Sequence, residues 1–375
     1  MLKGVYLTLM MGRIVPEPVP LQVVEALKNV QVSISSSQRS GFQLTLNVGQ
    51  RSLINRELLP SGYFDTLNRV IIIATVKGNP NVLMDGVIAR IELAPSNEPG
   101  QSTLTVTGED VTRIMDLVDI SGVPYPAMSA EARVALILAK YTATYGIIPK
   151  VIPSIFVNVN LPTAKIEGHQ GTDLQYINQL AANVGYVFYV EPGPKPGANV
   201  AYWGPEIKSG LPQPALTIDS DASTNVESLS FNFDGFAKTK YVALIQEPTT
   251  KISIPIPVPD INLINPTLGK NLPTSFQVKP IRDFAKYTPT QAAATLLAKT
   301  ARSANVVGAS GSLNVLRYGR VLKARQLVGV RGAGQLYDGL YYVNRVTHNI
   351  QQGEYKQNFT LSRNALIASN QRVTV

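Results

Sequence analysis

Near each end of the chain, an Asp-Gly pair stands between two apolar, strand-like runs. Asp85-Gly86 and Asp338-Gly339 occupy these positions, and Asp-Gly in such a setting is the strongest short-range sequence signal for a β-hairpin. Beyond each pair, a polar turn that contains glycine leads into a further strand of alternating pattern. The sequence therefore predicts two hairpins of one kind at opposite ends of the chain, as expected if one β-module occurs twice.

The composition indicates a large core and an exterior that is partly covered by other subunits. Of the 375 residues, 45% are hydrophobic and only 16% are charged, which is little charge for the surface of a soluble monomer. The net charge is +9, but the basic residues are scattered, which favours a generally cationic surface or channel lining over a specific nucleic-acid site. No stretch reaches the roughly 20 apolar residues that span a bilayer, so we expect no direct membrane insertion.

The first 118 residues predict a β-rich unit that begins with a proline-rich arm over residues 14–20. A short helix over 109–117 closes this unit. Its clearest predicted strands, apart from the hairpin, are residues 30–36, 42–48 and 69–77.

Residues 120 to about 200 change to a mixed α and β pattern. Ser129 predicts the N-cap of one helix, and Thr172 or Asp173 the N-cap of a second over 174–184. Gly185 stands in the usual position after a helix end, and a strand over 186–190 follows.

The β pattern then returns and is interrupted once. A stretch of alternating prolines over residues 252–259 predicts an extended linker or surface arm, and residues 290–303 predict a helix. The predicted strands around this interruption are residues 215–218, 226–233, 239–246, 313–315 and 326–330.

No pattern of catalytic, metal-binding or cofactor-binding residues stands out. The chain contains no cysteine, which excludes disulfides, thiolate metal sites and cysteine nucleophiles. His169 and His348 lack a partner at metal-ligand spacing, so we interpret both as structural or surface residues. There is no Gly-x-Ser-x-Gly motif, and the adjacent acidic pairs are typical of caps and turns.

One segment resembles a known family. Residues 171–190 read GTDLQYINQLAANVGYVFYV. This resembles the helix-strand pattern Asp-Leu-x-Phe-Ile/Leu-x-x-Leu-Ala-x-x-x-Gly-Tyr-x-Phe of the tail-hub family, which comprises phage late-control proteins, the hub portion of the type VI secretion spike protein and baseplate hubs of contractile phages. Residues 6–20 and 346–363 also look like hubs of contractile injection systems.

The resemblance implies an α+β, mainly β fold with two tube-like antiparallel β-barrels and an α+β insertion domain. Residues 1–118 would form the first barrel with its arm, and 119–212 the α+β domain. A second, split barrel would comprise 213–247 and 308–368, with an insertion over 248–307. Hubs of this family are homotrimers whose barrels make a pseudo-sixfold ring, which adapts a hexameric inner tube to a trimeric spike.

The implied partners are the inner tube protein, a spike and other baseplate components. Hub-spike fusions continue into an OB-fold and a β-helical spike, whereas this sequence ends at Val375, so the resemblance implies a separate spike polypeptide. It also implies assembly in the cytoplasm, as part of a phage tail or injection particle, with no cofactor and no specific nucleic-acid partner.

The two hairpins are the predicted equivalent positions in the ring. The candidate interface residues are Asp85, Gly86, Arg90, Asp338, Gly339 and Arg345. Two other classes of function stay open. A tail-associated cell-wall hydrolase or peptidase predicts a cleft with paired carboxylates or a metal, and a cell-surface adhesin predicts receptor binding.

Overall fold

The computed structural model describes residues 4–98, 100–154, 167–246, 253–256, 267–281 and 289–369. Strands account for 46% of the residues and helices for 19%, which confirms the prediction of a mainly β protein with a smaller helical part. The strands are β1 (Val5–Gly12), β2 (Glu17–Pro18), β3 (Leu27–Ser35), β4 (Gly41–Val48), β5 (Arg69–Val76), β6 (Asn79–Ala94), β7 (Ser102–Asp110), β8 (Pro124–Tyr125), β9 (Ile147–Val151), β10 (Glu167–Gly168), β11 (Val187–Pro192), β12 (Asn199–Gly204), β13 (Gln213–Thr217), β14 (Ser228–Phe233), β15 (Thr239–Gln246), β16 (Ser253–Ile256), β17 (Gly269–Asn271), β18 (Gln277–Ile281), β19 (Val307–Asn314), β20 (Leu327–Arg331), β21 (Gly339–Gln351), β22 (Glu354–Arg363) and β23 (Leu366–Ala368).

The helices are fewer and mostly short. They are α1 (Leu21–Ala26), α2 (Ala130–Ala139), α3 (Thr142–Tyr145), α4 (Asp173–Val184), α5 (Pro289–Ser303) and α6 (Val315–Tyr318). A 3-10 turn over Val111–Asp116 follows β7 where the sequence predicts a short helix. Within the described residues, no helix combines the length and the apolar character needed to cross a bilayer.

Thirteen strands form one sheet that contains strands from both ends of the chain. Its order is β14-β19-β22-β21-β3-β4-β7-β6-β5-β1-β2, with β20 beside β21 and β13 beside β20. The expectation of two closed barrels is wrong for the described chain, because the sheet has open ends at β14 and β2. The edge of β3 pairs with β21 instead of closing the first set of strands on itself.

We call β3, β4, β6 and β7 the first module, and β14, β19, β21 and β22 the second module. One face of their strands is apolar and carries the main core, as the alternation of Phe42, Leu44, Leu46 and Val48 in β4 predicts. The intervening residues are mostly hydroxyl and amide side chains. The sheet therefore has a core face and a polar face.

The Asp85-Gly86 pair is not the turn of a hairpin, which corrects the sequence prediction. Both residues lie inside the long strand β6, and the turn between β5 and β6 is formed by Lys77 and Gly78. Their φ angles are 48° and 82°, and positive φ at both central residues is typical of the tight turn that matches strand twist. Gly86 is required for another reason, since a Cβ there would lie 2.3 Å from the carbonyl oxygen of Glu109.

Asp338-Gly339 also differs from the prediction, although it does lie at a hairpin. Gly339 is the first residue of β21 and pairs with Val330 of β20, so the two residues end the connection instead of forming its centre. The Asp338 carboxylate accepts a hydrogen bond of 2.8 Å from the Ala333 backbone amide and so organises this loop.

Residues 111–204 build a second, smaller core beside the first module. The Ser129 cap of α2 and the Thr172 cap of α4 are as predicted, and Gln175 completes a capping box on α4. Gly185 ends α4 with φ 75°. Strands β9, β11 and β12 form a sheet against these helices. We call the described residues between 111 and 204 the α+β segment.

Part of the proline-rich stretch over 252–259 is a strand instead of the predicted linker or arm. Residues Ser253–Ile256 form β16, which pairs antiparallel with β15, while the remaining residues of the stretch lie outside the described part. Pro255 is tolerated within it because β16 is an edge strand with one unpaired side. Strand β18 pairs parallel with β15 on its other side. We call β15, β16 and β18 the inserted sheet.

Buried His348 makes folding stability depend on pH. It lies in β21 against the Tyr355 hydroxyl, at 2.8 Å, and burial lowers its pKa to about 3. In the unfolded chain the imidazole takes up a proton below about pH 6.5. Its contribution to stability is therefore complete above pH 6.5 and is lost as the pH falls from there toward 3.

We expect the free energy of unfolding of the unsubstituted protein to fall by about 1.4 kcal/mol per pH unit from this group between pH 6 and 4. The variant His348→Gln, which cannot take up a proton, should show a flatter dependence in urea titrations over that range. Parallel pH dependences for the two proteins would contradict this account.

Candidate assembly interface

The two modules are joined by antiparallel pairing of β3 with β21. Residues 29–35 of β3 lie opposite residues 345–351 of β21 without a register shift. On the polar face, the hydroxyls of Ser33 and Thr347 are hydrogen-bonded at 3.3 Å. We call this pairing the inner seam.

A β-bulge marks the same position in each module. The register with the next strand shifts immediately before Arg90 in β6 and immediately before Arg345 in β21. Arg90 then lies opposite Thr107 of β7, and Arg345 opposite Thr360 of β22. Since a bulge redirects a strand in a defined way, the two modules share an uncommon feature at one equivalent place.

A second uncommon feature also occurs once in each half of the sheet, just before the strand that pairs with the bulged one. Leu67, before β5, and Arg325, before β20, are non-glycine residues with positive φ, of 71° and 63°. The Leu67 amide donates to the Ile88 carbonyl, and the Arg325 amide donates to the Val343 carbonyl, both at 2.8 Å. Leu67 and Arg325 are therefore structural counterparts, and the modules are two copies of one arrangement.

The two Asp-Gly pairs do not occupy equivalent positions in the two modules. Counted back from the two arginines, Asp85 corresponds to Leu340 of β21. The arginines mark equivalent positions in the two modules, whereas the Asp-Gly pairs do not.

The six predicted interface residues are not brought together. Asp85, Gly86 and Gly339 are buried, and Asp338 is half-buried in its loop. The side chain of Arg90 is exposed and contacts Glu92 at 3.1 Å. Arg345 is half-buried and donates to the Gln38 amide oxygen. Only the two arginines lie on the polar face with accessible side chains, and their role in an interface stays a prediction.

Asp85 holds the α+β segment against the first module. Its carboxylate accepts two hydrogen bonds from Arg69, of 2.8 and 2.7 Å, and one of 2.8 Å from Asn199 of β12. The Arg69 guanidinium also donates to the carbonyls of Tyr145 and Gly197. The side chains of Arg69 and Asp85 are only 5% and 0% exposed, so the pair is a buried clamp within one chain.

Arg325 joins all three parts of the chain. Its guanidinium donates to the carbonyl of Ser35 at the end of β3, at 2.7 Å, and lies 4.1 Å from the ring of Tyr189 in β11. It also contacts the Glu191 carboxylate at 3.4 Å. Arg325 lies just before β20, which pairs with β21 of the second module. It therefore connects the second module both to the end of β3 and to the α+β segment.

Two strand edges of the modules have no partner within the described chain. They are β14, at one end of the sheet, and the second half of β6, beyond its pairing with β5. Both edges expose apolar side chains on the core face. Ile91 is 43%, Leu93 45% and Phe233 45% exposed. Unpaired edges with exposed apolar residues are a liability unless they are covered by another chain.

A cavity of about 660 Å³ lies between the loop after β3, the 3-10 turn, α4 and β11. Three carboxylates line it, those of Asp110, Asp116 and Glu206, and the Glu206 carboxylate lies 3.0 Å from the Lys208 ammonium. Asp110 has its pKa raised by burial and caps the turn by accepting from Thr112, while Asp116 binds Arg39. Although burial opposes it, hydrogen bonds from Thr172 and Arg39 lower the pKa of Asp116. All three carboxylates have partners within the fold, which favours a structural role for this cavity.

The described residues contain no group of three or more His, Cys, Asp or Glu side chains arranged to hold a metal ion. His169 lies buried against the Tyr125 hydroxyl at 3.0 Å, and burial lowers its pKa. Each histidine is thus buried against the hydroxyl of a tyrosine.

Arg69, Arg325 and the β14 edge were missed by sequence reasoning. One signal was available for Arg69, because a charge at the start of the apolar run RVIIIATVK requires a buried partner. Arg325 offers no such signal, since its partners come from distant strands.

Comparison with known proteins gives structural but not sequence relatives. No protein-family model matches the sequence, and no curated protein is significantly similar to it. The fold is similar to that of a tail protein from Neisseria meningitidis, with a TM-score of 0.62 and 15% identity over 95% of this chain and 96% of that one.

Two further solved structures extend this similarity. The 43 kDa tail protein of prophage MuSo2 from Shewanella oneidensis has a TM-score of 0.64 and 12% identity, covering 97% of this chain and 100% of that one. A type VI secretion component of E. coli, itself described as similar to the T4 tail proteins gp27 and gp5, has a TM-score of 0.51 and 10% identity, covering 93% and 75%. The chain therefore has the fold of phage tail and type VI secretion proteins.

The Arg69 clamp can be tested by substitution. Arg69→Met leaves a buried carboxylate without its charged partner and should lower the free energy of unfolding by about 3–5 kcal/mol. The double variant Arg69→Met with Asp85→Leu removes both charges and should regain a large part of that loss. Urea unfolding measures both, and a loss below about 1 kcal/mol for Arg69→Met would show that the pair does not hold the segment.

Proposed function

We propose that this protein is a non-enzymatic baseplate hub, which joins a hexameric inner tube to a trimeric spike in a phage tail or contractile injection system. Three copies would close into a ring in which each contributes two near-equivalent modules. The fold shared with tail and type VI secretion proteins supports this proposal. So does the presence of two copies of one module joined edge to edge in one chain.

The observation that carries the proposal is that the two unpaired strands are the equivalents of the two strands that pair at the inner seam. At the inner seam β3, at the edge of the first module, pairs with β21 of the second module. In the module equivalence β14 corresponds to β3, and β6 corresponds to β21. Pairing β14 of one copy with β6 of the next would therefore repeat the inner seam between chains, and we call this the outer seam.

The register of the inner seam can be transferred to the outer one through the equivalent strand pairs. The transferred register pairs Asp234 with Arg90, Phe233 with Ile91, Asn232 with Glu92 and Phe231 with Leu93.

The side chains that this register brings together are complementary. The Asp234 carboxylate would meet the exposed Arg90 guanidinium on the polar face. On the core face, Phe233, Ile91 and Leu93 would cover one another and lose the exposure that they have in the single chain. Neither match was used to set the register, so both support it independently.

The polar face would then line the channel, because the other face carries the core. Hydroxyl side chains of neighbouring strands hydrogen-bond to each other on this face. The hydroxyls of Ser228 and Ser312 lie 2.8 Å apart, and those of Ser230 and Ser310 lie 3.0 Å apart. Such a lining is rich in hydroxyl groups, and on it the charged side chains of Arg90, Arg345, Glu92 and Asp234 balance in sign.

The same ring would offer two symmetries. The modules repeat six times around it, which fits a hexameric tube. Each chain contains one α+β segment and one inserted sheet, so these parts repeat three times and fit a trimeric spike. In this proposal the trimeric spike and other baseplate proteins are the partners of the ring, and assembly takes place in the cytoplasm.

Disulfide trapping tests the outer seam, because the natural chain has no cysteine. The variant Glu92→Cys with Asn232→Cys places the two thiols opposite each other in neighbouring copies. Directly opposed strand residues have the short Cα separation that a disulfide requires. We expect a covalent trimer on a non-reducing gel after mild oxidation.

Two matched variants control this experiment. Ser33→Cys with Thr347→Cys should form a bond within one chain at the inner seam. Glu92→Cys with Ser228→Cys is about 13 Å out of register and should stay uncrosslinked. The proposed ring would be contradicted if Glu92→Cys with Asn232→Cys stayed monomeric while the inner-seam bond formed. Efficient crosslinking of the out-of-register pair would contradict it as well.

A further inference from the structure

A cluster of exposed apolar side chains lies on the inserted sheet. Phe236, in the turn before β15, is 66% exposed, and Phe276 and Val278, at β18, are 68% and 59% exposed. The two phenylalanine rings lie 5.7 Å apart. We call these three residues the aromatic patch, and contiguous exposed apolar surface of this kind is typical of a contact with another protein.

The aromatic patch is continuous with the free edge of β14. Strand β14 ends at Phe233, and the next residue, Asp234, accepts a hydrogen bond of 2.9 Å from the Phe236 amide. The Asp234 amide in turn donates to the Val306 carbonyl at 2.9 Å. These bonds fix the turn, so Phe236 has a defined position at the end of the edge that the outer seam uses.

The module equivalence identifies what would face this turn. At the inner seam, the residue at the end of β3 is held by Arg325, whose guanidinium donates to the Ser35 carbonyl. The counterpart of Arg325 in the first module is Leu67, and the counterpart of Ser35 in the second module is Asp234. At the outer seam, Leu67 of the next copy would therefore lie where Arg325 lies at the inner seam.

Leu67 has two properties that suit such a contact. Its side chain is 40% exposed although it is large and apolar. Its φ of 71° is a region that leucine seldom adopts, and strained residues of this kind cluster at functional positions.

We propose that the aromatic patch of one copy docks on Leu67 of the next copy and closes the outer seam with an apolar contact. The partner is thus a second copy of this chain. This inference rests on the proposed ring but goes beyond strand pairing. The two seams would differ in chemistry, with the polar Arg325 clamp at the inner seam and an apolar lock at the outer one.

Substitutions at the two sides test this lock. Leu67→Asn removes the apolar side chain with a residue that tolerates positive φ, so the fold should be kept. Phe236→Ser removes the opposite side. Each should weaken assembly about tenfold or more, because a buried large apolar side chain contributes on that scale, as measured by analytical ultracentrifugation over a concentration series.

The matched control is Leu211→Asn, which changes a leucine that is 98% exposed on the segment before β13. We expect its assembly to be unchanged. A photo-crosslinking residue in place of Phe236 should also capture, by mass spectrometry, the peptide of another copy that contains Leu67.

The outcomes separate this inference from the proposed function. A natural protein that never assembles, and a Glu92–Asn232 cysteine pair that never crosslinks, would overturn the ring and the lock together. A trimer that crosslinks at that pair but assembles equally well with Leu67→Asn and Phe236→Ser would overturn the lock alone. Capture of a peptide remote from Leu67 would also overturn it.

Discussion

The pairing of β3 with β21 is the interaction on which the rest of the structure depends. It joins strands that are more than 300 residues apart in the chain, and it makes one sheet of two modules that would otherwise end in open edges. Because side chains alternate across a strand, this single register also decides which residues face the core and which face the polar side. The inner seam thereby sets the geometry that the unpaired edges of β14 and β6 offer to other copies.

Two buried arginines keep the remaining parts in place around this sheet. Arg69 attaches the α+β segment to the first module through Asp85, and Arg325 ties the same segment to the second module across the inner seam. Buried charges of this kind are weak evidence for net stability but are costly to leave unpaired, so they act against alternative arrangements of the parts. The α+β segment is consequently held at one orientation relative to the sheet.

The sequence predicted most elements and the mainly β class, because strand alternation and helix caps are local signals. The cap at Thr172, the stop at Gly185 and the alternation of β4 are of this type. The prediction of a turn at Asp85-Gly86 was wrong because Lys77-Gly78 forms the turn. Asp85 is instead the buried partner of Arg69. The module repeat was suspected from the Asp-Gly pairs, but its real markers are a bulge and a positive-φ residue. The positive-φ position is occupied by unlike side chains, Leu67 and Arg325, so sequence similarity does not reveal it.

The central claim is that copies of this chain close into one ring through β14 and β6. Electron cryo-microscopy of the purified assembly, or of the particle that contains it, tests this most directly. We expect three copies around a channel whose wall is one continuous sheet, with inner and outer seams of the same register alternating around it. A wall that is interrupted between copies, with the β14 and β6 edges apart and uncovered, would contradict the account.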